Sequence, residues 1–259
     1  MKLIALTLTT FIATTAIAAA QTRQGAQPPR PGSPPAPLSR GFLSINGAFQ
    51  MTQNDFDDGE TFREYGEDGR FDTDYTVKGG PALDVAAGVR LWRGVAVGAG
   101  VTRFSRSTPA AVSGSIPHPF FFSRPRTLSS EVTSLKREEL AVHMQVRAVA
   151  PIGRRLQVMA FGGPSYFQVK QGIVTDVDYS ESYPYDAATF ASAATSDAKE
   201  SKLGFNAGGD VAFFFTRQLG VGVTAQFSGT EIDVPTANGS TQKIKAGGFQ
   251  AGGGVRVRF

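Results

Sequence analysis

From residue 41 onward, apolar residues alternate with polar or small ones in eight separate segments. In one of them Leu83, Val85 and Val89 fall on one face, while Asp84 and Arg90 fall on the other. A period of two is that of a β-strand whose two faces meet different surroundings. The eight predicted strands are 41–51, 80–91, 94–104, 138–150, 155–170, 202–215, 219–228 and 245–259.

The fifth segment, 155–170, is the least regular. Pro164 lies within it, and proline cannot donate a hydrogen bond to a neighbouring strand. We therefore expect a bulge or kink there, and the pattern leaves the facing of this strand open.

The connections between the segments alternate in length. Tight turns are predicted at 92–93, 151–154 and 216–218, and long polar connections at 52–79, 105–137, 171–201 and 229–243. Short turns at one end and long loops at the other are typical of an antiparallel transmembrane β-barrel with periplasmic turns and extracellular loops. The sequence does not fix the conformation of the long connections.

The polar faces hold many glycines and few charges, which would make a sparse water-facing surface. Inverted, the same pattern gives an apolar face toward lipid and a polar lumen. Phenylalanines fall about ten residues apart along the strands, a distance that spans roughly the 25 Å apolar band of such a barrel. They predict one aromatic girdle at Phe49, Phe205, Phe227 and Phe249 and another at Phe213, Phe215 and Phe259.

The first forty residues predict export. Lys2, an apolar run and Ala18-Ala19-Ala20 have the order of a cleavable signal peptide, so we expect residues 1–20 to be removed after Ala20. Residues 21–40 are rich in proline and predict an extended periplasmic tether, and 41–259 the barrel.

Composition excludes several other classes. The chain has no cysteine, so no lipid anchor, disulfide or thiolate metal site is possible. Removal of Lys2 leaves 25 basic and 22 acidic residues, a net charge of +3. The basic residues are scattered, and we expect no nucleic-acid partner.

The end of the chain, FQAGGGVRVRF, has a terminal phenylalanine preceded by apolar residues at alternate positions. Residues 41–259 resemble the small outer-membrane barrel family that includes the outer membrane protein A transmembrane domain and the attachment-invasion proteins. The resemblance lies in this terminal pattern and in the segment FGGPSY at 161–166. The resemblance implies an eight-stranded outer-membrane barrel in a Gram-negative bacterium. It also implies an assembly signal, read by the barrel-assembly machinery, at Phe249, Val255, Val257 and Phe259. The proline-rich tether departs from the family pattern.

Two histidines, His118 and His143, are the only candidates for a histidine base. Some relatives of the family modify lipid A with a serine and a histidine, but no H-x-S pairing occurs here. We expect His143 to have a structural role, with a lumen partner such as Glu139, and we expect no catalytic residue, cofactor or metal site.

The strand facing places charged side chains in a lumen that is narrow in an eight-stranded barrel. We expect Asp–Arg contacts that plug it, with the arginines near the periplasmic end, since a buried unpaired charge costs several kcal/mol. The predicted lumen network is Asp84, Arg90, Glu139, His143, Arg147, Asp210, Arg256 and Arg258.

Two of the long connections carry candidate recognition features. The first has nine acidic residues against three bases, Arg63, Arg70 and Lys78, and we interpret it as a solvated acidic loop because it lacks the spacing of a calcium loop. The second has Phe120, Phe121 and Phe122 beside arginines, which fits either an exposed contact or a tip folded back on the barrel rim.

The sequence thus predicts a non-enzymatic barrel with a role in surface recognition, adhesion or envelope structure. Outer-membrane lipid and lipopolysaccharide would surround it, and an extracellular ligand or host surface would contact its loops. Two alternatives stay open, a narrow channel for ions or small solutes and, less favoured, a lipid A-modifying enzyme.

Overall fold

The computed structural model of the chain describes residues 40–51, 54–235 and 241–259. The predicted signal peptide and all but the last residue of the predicted tether lie outside the described residues, so cleavage after Ala20 stays a prediction. Within the described ranges, no helix is long and apolar enough to cross a bilayer.

Ten β-strands make up almost all of the described chain, and every pair of neighbours is antiparallel. They are β1 (Gly41–Gln50), β2 (Asn54–Glu64), β3 (Glu67–Val77), β4 (Gly80–Arg90), β5 (Val95–Ile116), β6 (Arg126–Ile152), β7 (Leu156–Glu181), β8 (Ala188–Phe214), β9 (Leu219–Pro235) and β10 (Thr241–Arg258).

Eight of the strands close into a ring in the order β5, β4, β1, β10, β9, β8, β7, β6, with β6 paired back to β5. The pairing of β1 with β10 joins the two ends of the barrel chain. It runs from Phe42 opposite Arg258 to Gln50 opposite Gln250, and Gly41 and Phe259 exchange two backbone hydrogen bonds of 2.7 and 3.0 Å. The prediction of an all-β, eight-stranded barrel is confirmed.

The outer surface of the ring is apolar. On β6, Leu140, Val142, Met144 and Val146 point outward and are exposed, whereas the residues between them are buried. The four phenylalanines of the predicted upper girdle are 44–55 % exposed, and Phe213, Phe215 and Phe259 are exposed near the short turns. A closed ring with an apolar band between two aromatic levels is a membrane-spanning barrel.

The long connections differ from the irregular loops that the sequence suggested. β5, β6, β7 and β8 continue as strands far beyond the girdle, and residues 54–77 form the hairpin β2–β3, which pairs with β5. The alternation of inward and outward residues in these extensions is not visible in the sequence, because β-bulges shift it by one residue. Pro109 lies opposite both Thr133 and Ser134, so the inward positions of β6 change from even to odd numbers there.

Above the membrane these strands form two layers. The pairing of β6 with β7 ends at Arg137 opposite Gln171, and beyond it one layer is β2-β3-β5-β6 and the other is β7-β8. We call residues 54–77, 105–136 and 172–201 the extracellular lobe. Its apolar core consists of Phe71, Tyr75, Ala110, Val112, Ile116, Leu128, Leu135, Val174 and Val177.

Pro164 interrupts the ladder without the expected bulge. Pairs with β6 are missing only between His143–Ser165 and Val146–Gly162, and the register is the same on either side. The strand therefore runs on, with Phe161, Ser165 and Phe167 facing inward.

We expect deletion of Phe259 to lower the outer-membrane yield by about tenfold or more, because it leaves backbone groups unpaired in lipid at a cost of several kcal/mol each. The yield is measured as the fraction of protein with heat-modifiable gel mobility in outer-membrane preparations. Phe215→Ser is the control, since it removes an exposed aromatic ring at the same end without touching the closure. A normal yield of the truncated chain would contradict the role of Phe259 in closing the barrel.

Candidate functional site

Polar side chains from several strands meet in the lower half of the lumen. Arg256 donates from Nε to Asp210 Oδ2 at 3.0 Å and from Nη1 to Asn46 Oδ1 at 2.5 Å. Asn46 in turn donates to Asp84 Oδ1 at 2.8 Å. The structure therefore places Asp210 against an arginine, as the strand facing suggested, but links Asp84 to Arg256 only through Asn46.

His143 lies at the level of Asp84 and is completely buried. Its Nε2 is 3.0 Å from Thr102 Oγ1, which donates to Asp84 Oδ2 at 3.2 Å, and its Nδ1 is 2.7 Å from Ser165 Oγ. The expectation that Glu139 would be its partner is wrong. Residues four apart on a strand are separated by roughly 13 Å, so the neighbours of a lumen side chain come from adjacent strands.

Ser165, His143, Thr102 and Asp84 form a chain of contacts that resembles a nucleophile with its base. Both Ser165 and His143 are enclosed in the lumen, however, and Ser165 Oγ already accepts a hydrogen bond of 2.9 Å from Asn206 Nδ2. The contacts hold β4, β5, β6, β7 and β8 together across the interior, which is a structural role.

A second buried charged pair, Arg137 with Glu139, lies above His143. Arg137, which the sequence placed at the end of a loop, is fully buried and donates from Nε to Glu139 Oε1 at 2.6 Å and from Nη2 to the Lys245 carbonyl oxygen at 2.6 Å. Glu139 Oε2 accepts the Gly247 amide at 2.9 Å. This pair connects β6 with β10 through the middle of the barrel.

Gly247 and Gly248 make that connection possible. Both have positive φ angles, +83° and +136°, which turn the Gly247 amide toward Glu139. A Cβ at Gly247 would overlap the Ser228 carbonyl oxygen. The sequence K-A-G-G at 245–248 could have indicated this bend, since it breaks the alternation of the last strand.

Around and above the Arg137–Glu139 pair the interior of the barrel is apolar. Side chains of β6, β7, β9 and β10 fill it and pack against Phe56 of β2. They are Ala141, Phe167, Val169, Ile173, Ile232, Val234, Ile244 and Ala246. Polar groups therefore predominate in the described lumen below His143, apart from a small apolar cluster of Phe42, Ala96, Val149 and Met159, and the apolar cluster surrounds the charged pair.

Beside the Asp210–Arg256 pair, Arg147 donates twice to Gln145 Oε1, at 2.5 and 3.1 Å, and its guanidinium lies 4.5 Å from the Phe42 ring. The space between Asp84, Arg147 and Asp210 has room for about one water molecule. The predicted lumen residues therefore all face inward, but Arg90 and Arg258 lie at the mouth rather than within the network.

The extracellular lobe ends in three adjoining turns that carry exposed aromatic rings. Phe120, Phe122 and Tyr183 are 67, 76 and 84 % exposed, and Tyr65 and Phe121 are also exposed. We call these residues and Tyr185 the aromatic tip. Of the two possibilities for the phenylalanine triplet, the structure shows rings exposed at the end of the lobe and not a segment folded back on the barrel.

A buried ion pair fixes the tip from below. Arg126 donates to Glu181 at 2.7 Å and to the Pro117 carbonyl oxygen at 2.6 Å, and its side chain is 3 % exposed. His118 is buried, and its Nδ1 accepts the amides of Phe120 and Phe121 at 3.1 and 3.3 Å. The turn of β5–β6 is therefore held in one conformation against the turn of β7–β8.

The hairpin β2–β3 is tied to the same structure. Ser123 donates its amide to Glu67 at 2.7 Å, and Tyr179 donates its hydroxyl to Glu64. Tyr75 accepts the Val174 amide at 2.8 Å, and burial raises the pKa of Tyr75 to about 12. Three hairpins thus share one apolar core and one set of polar ties.

The acidic residues of this hairpin lie mainly on its outer face, where Asp57 is opposite Asp74 and Arg70 contacts Asp72 at 2.6 Å. In the part of the chain that the structure describes, no three acidic or histidine side chains are grouped closely enough to hold a metal ion.

We expect Glu139→Gln to lower the free energy of unfolding by about 3–5 kcal/mol, because it leaves Arg137 buried without a carboxylate. Urea unfolding in phospholipid bilayers, followed by the fluorescence of Trp92, the single tryptophan, measures it. Asp197→Asn is the control, since it breaks the exposed Lys170–Asp197 pair, which is worth about 0–1 kcal/mol. Equal, small effects of the two variants would show that the buried pair does not stabilise the barrel.

Comparison with known proteins gives only structural matches. No family model and no curated protein matches the chain. Among solved structures, Neisserial surface protein A matches with a TM-score of 0.43 and 9 % identity over 85 % of this chain and 97 % of its own. The attachment invasion locus protein Ail of Yersinia pestis, in complex with a heparin analogue, matches with 0.39 and 12 % over 84 and 99 %.

The outer membrane protein AlkL, solved in lipid bilayers, matches with a TM-score of 0.40 and 11 % identity over 91 % of this chain and 97 % of its own. At these scores the fold assignment depends on the chain's own geometry. Its eight strands close on themselves, its outer band is apolar and its lumen is filled. The described chain is therefore a small β-barrel of the outer-membrane type.

Proposed function

We propose that the protein is a non-enzymatic outer-membrane barrel that recognises an external ligand or surface through the aromatic tip. The observation that carries this proposal is the combination of large exposure and fixed geometry at the tip. Rings that are 67–84 % exposed gain roughly 1.5–3 kcal/mol each when a partner covers them. Because Arg126, Glu181 and His118 already hold the turns, little ordering remains to oppose binding.

The composition of the tip supports a protein or glycan surface as the partner. Aromatic rings and arginine are the side chains most enriched at binding hot spots, and Arg124 lies over the Phe121 ring at 5.3 Å. An apolar patch of this kind on a water-facing lobe is otherwise unfavourable, which argues that it is retained for contact. Lipopolysaccharide would surround the lobe at its base, below the tip.

The lumen weighs against the two alternatives. A channel needs a continuous polar path, but apolar side chains and the Arg137–Glu139 pair fill the upper half of the interior. A lipid-modifying enzyme needs its histidine at the lipid face, whereas His143 is enclosed and Ser165 is 2 % exposed.

The test is adherence of bacteria that display the full chain to cultured epithelial cells and to an immobilised glycan array. We expect Phe120→Ser/Phe122→Ser/Tyr183→Ser to reduce adherence to the level of cells without the protein, because these are the most exposed rings. The control variant, Ala191→Ser/Ala194→Ser/Thr195→Ser, changes three exposed residues of β8 in the same lobe and should adhere like the unaltered protein.

Surface display of each variant is checked by protease accessibility of the lobe. If the tip variant is displayed normally and still adheres fully, recognition by the aromatic tip is wrong. Steady ion conductance of the refolded barrel in planar bilayers would instead favour the channel alternative.

A further inference from the structure

The short-turn end of the barrel is basic and has no acidic side chain of its own. The described segments that form it are 40–44, 88–97, 147–158, 212–223 and 254–259, and none contains Asp or Glu. Arginines are present both in the turns, as at Arg154 and Arg155, and at the strand ends. All the basic residues at this end are arginine and none is lysine, although lysine is common in the rest of the chain.

Three of these arginines surround the periplasmic mouth of the lumen. Arg40 precedes β1, Arg90 ends β4 and Arg258 lies at the end of β10, and β1 pairs with both of the other strands. Gly41 is opposite Val89 and Phe42 is opposite Arg258, so the three side chains start from adjacent strands at one level. They line a single cavity that opens at this end.

The carboxylates of the lower lumen have other partners than the three arginines of the mouth. Asp210 binds Arg256, and Asp84 binds Asn46 and Thr102. In the described chain, Arg258 has only a neutral acceptor, the Arg217 carbonyl oxygen at 2.6 Å, with the Phe214 ring 3.8 Å away.

Arg90 is the least satisfied of the three. Its Nη1 is buried and has no hydrogen-bond partner among the described residues. A guanidinium in that position normally has a counter-charge, because burying an unpaired charge is costly. No Asp or Glu side chain of these segments supplies that charge, and the Phe259 oxygen accepts the Gly41 amide at 2.7 Å, so the mouth is complementary to an added anion.

A phosphate group fits the mouth better than a carboxylate. Planar guanidinium groups bind phosphate and carboxylate by paired hydrogen bonds, and a phosphate offers enough oxygens for several arginines at once. The enclosed part of the cavity has room for only about one or two water molecules, so the phosphate would lie at its opening. Trp92, two residues beyond Arg90, and Phe215, the residue after β8, are exposed at this end, as aromatic rings are where lipid headgroups meet the aqueous phase.

We propose that Arg40, Arg90 and Arg258 form a phosphate-binding site at the periplasmic mouth of the barrel. The phosphate comes either from a soluble phosphate compound of the periplasm or from the headgroup of an inner-leaflet phospholipid. The site is at the opposite end from the aromatic tip and does not depend on the function proposed for the tip.

The experiment measures binding to the full barrel refolded in maltoside micelles, which contain no phosphate. ³¹P NMR titrations with inorganic phosphate and with a short-chain phosphatidylglycerol give the affinity for each source, and competition with acetate tests the carboxylate. Arg90→Gln/Arg258→Gln removes two charges from the mouth. Arg154→Gln/Arg155→Gln removes two charges from an exposed turn at the same end and is the matched control.

We expect the unaltered protein to bind phosphate saturably. The mouth variant should bind about tenfold or more weakly, because it loses charge-assisted hydrogen bonds, and the affinity of the control should stay within about twofold. Binding of inorganic phosphate identifies a soluble source, and binding of phosphatidylglycerol alone identifies a headgroup. No saturable binding of either probe, equal binding by the two variants, or acetate binding as tightly as phosphate would overturn the proposal.

Folding of each variant is verified by heat-modifiable gel mobility. Arg90→Lys/Arg258→Lys provides a second measurement, since it keeps both charges and removes the paired donors. It should bind more weakly than the unaltered protein, and unchanged affinity would show that the guanidinium geometry has no part in the site.

Discussion

In the hydrocarbon of a bilayer, a backbone amide or carbonyl without a protein partner has no water to bond instead, and each such group costs several kcal/mol. The pairing of β1 with β10 is therefore the interaction on which the rest of the structure depends, because without it the ring would have two free strand edges in the membrane. Once the ring is closed, each of its eight strands has, within the membrane, an outer face in lipid and an inner face in a narrow lumen. The alternation of apolar and polar residues follows from that closure, and so does the need to pair each inward charge.

This constraint explains which features the sequence could predict. The side to which a strand residue points alternates with a period of two and depends only on the local sequence. All eight membrane strands, and the inward position of residues such as Asp210 and Arg256, could therefore be derived. Which inward residues lie at one level depends on the tilt and stagger of the strands, and those are properties of the whole ring. For that reason His143 was assigned to Glu139 on its own strand, when its partners are Thr102 and Ser165 on the two neighbouring strands.

The extracellular lobe could not be derived for a different reason. Its strands contain small or polar inward residues such as Thr108 and Gly114, and bulges near Pro109 and Thr175 shift the alternation by one residue. A pattern of fixed period is lost at each shift, although the segments on either side keep it. The apolar core of the lobe depends on side chains from separate hairpins, such as Phe71, Ile116 and Val177, which no single segment reveals.

The extracellular lobe and the lower barrel differ in the polarity of their interiors. This difference bears on whether binding at the tip can affect binding at the periplasmic mouth. The lobe has an apolar core and a water-facing surface, while the lower barrel has a mainly polar interior and a lipid-facing surface, and the buried Arg137–Glu139 pair lies between them. To transmit a change from the tip to the periplasmic mouth, the molecule would have to disturb that pair, and breaking a buried pair costs about 3–5 kcal/mol. A ligand that contacts only the exposed rings has no differential contact with the lumen to supply this energy. Binding at the tip and anion binding at the mouth should therefore be energetically independent, which leaves the tip free to vary without loss of the barrel.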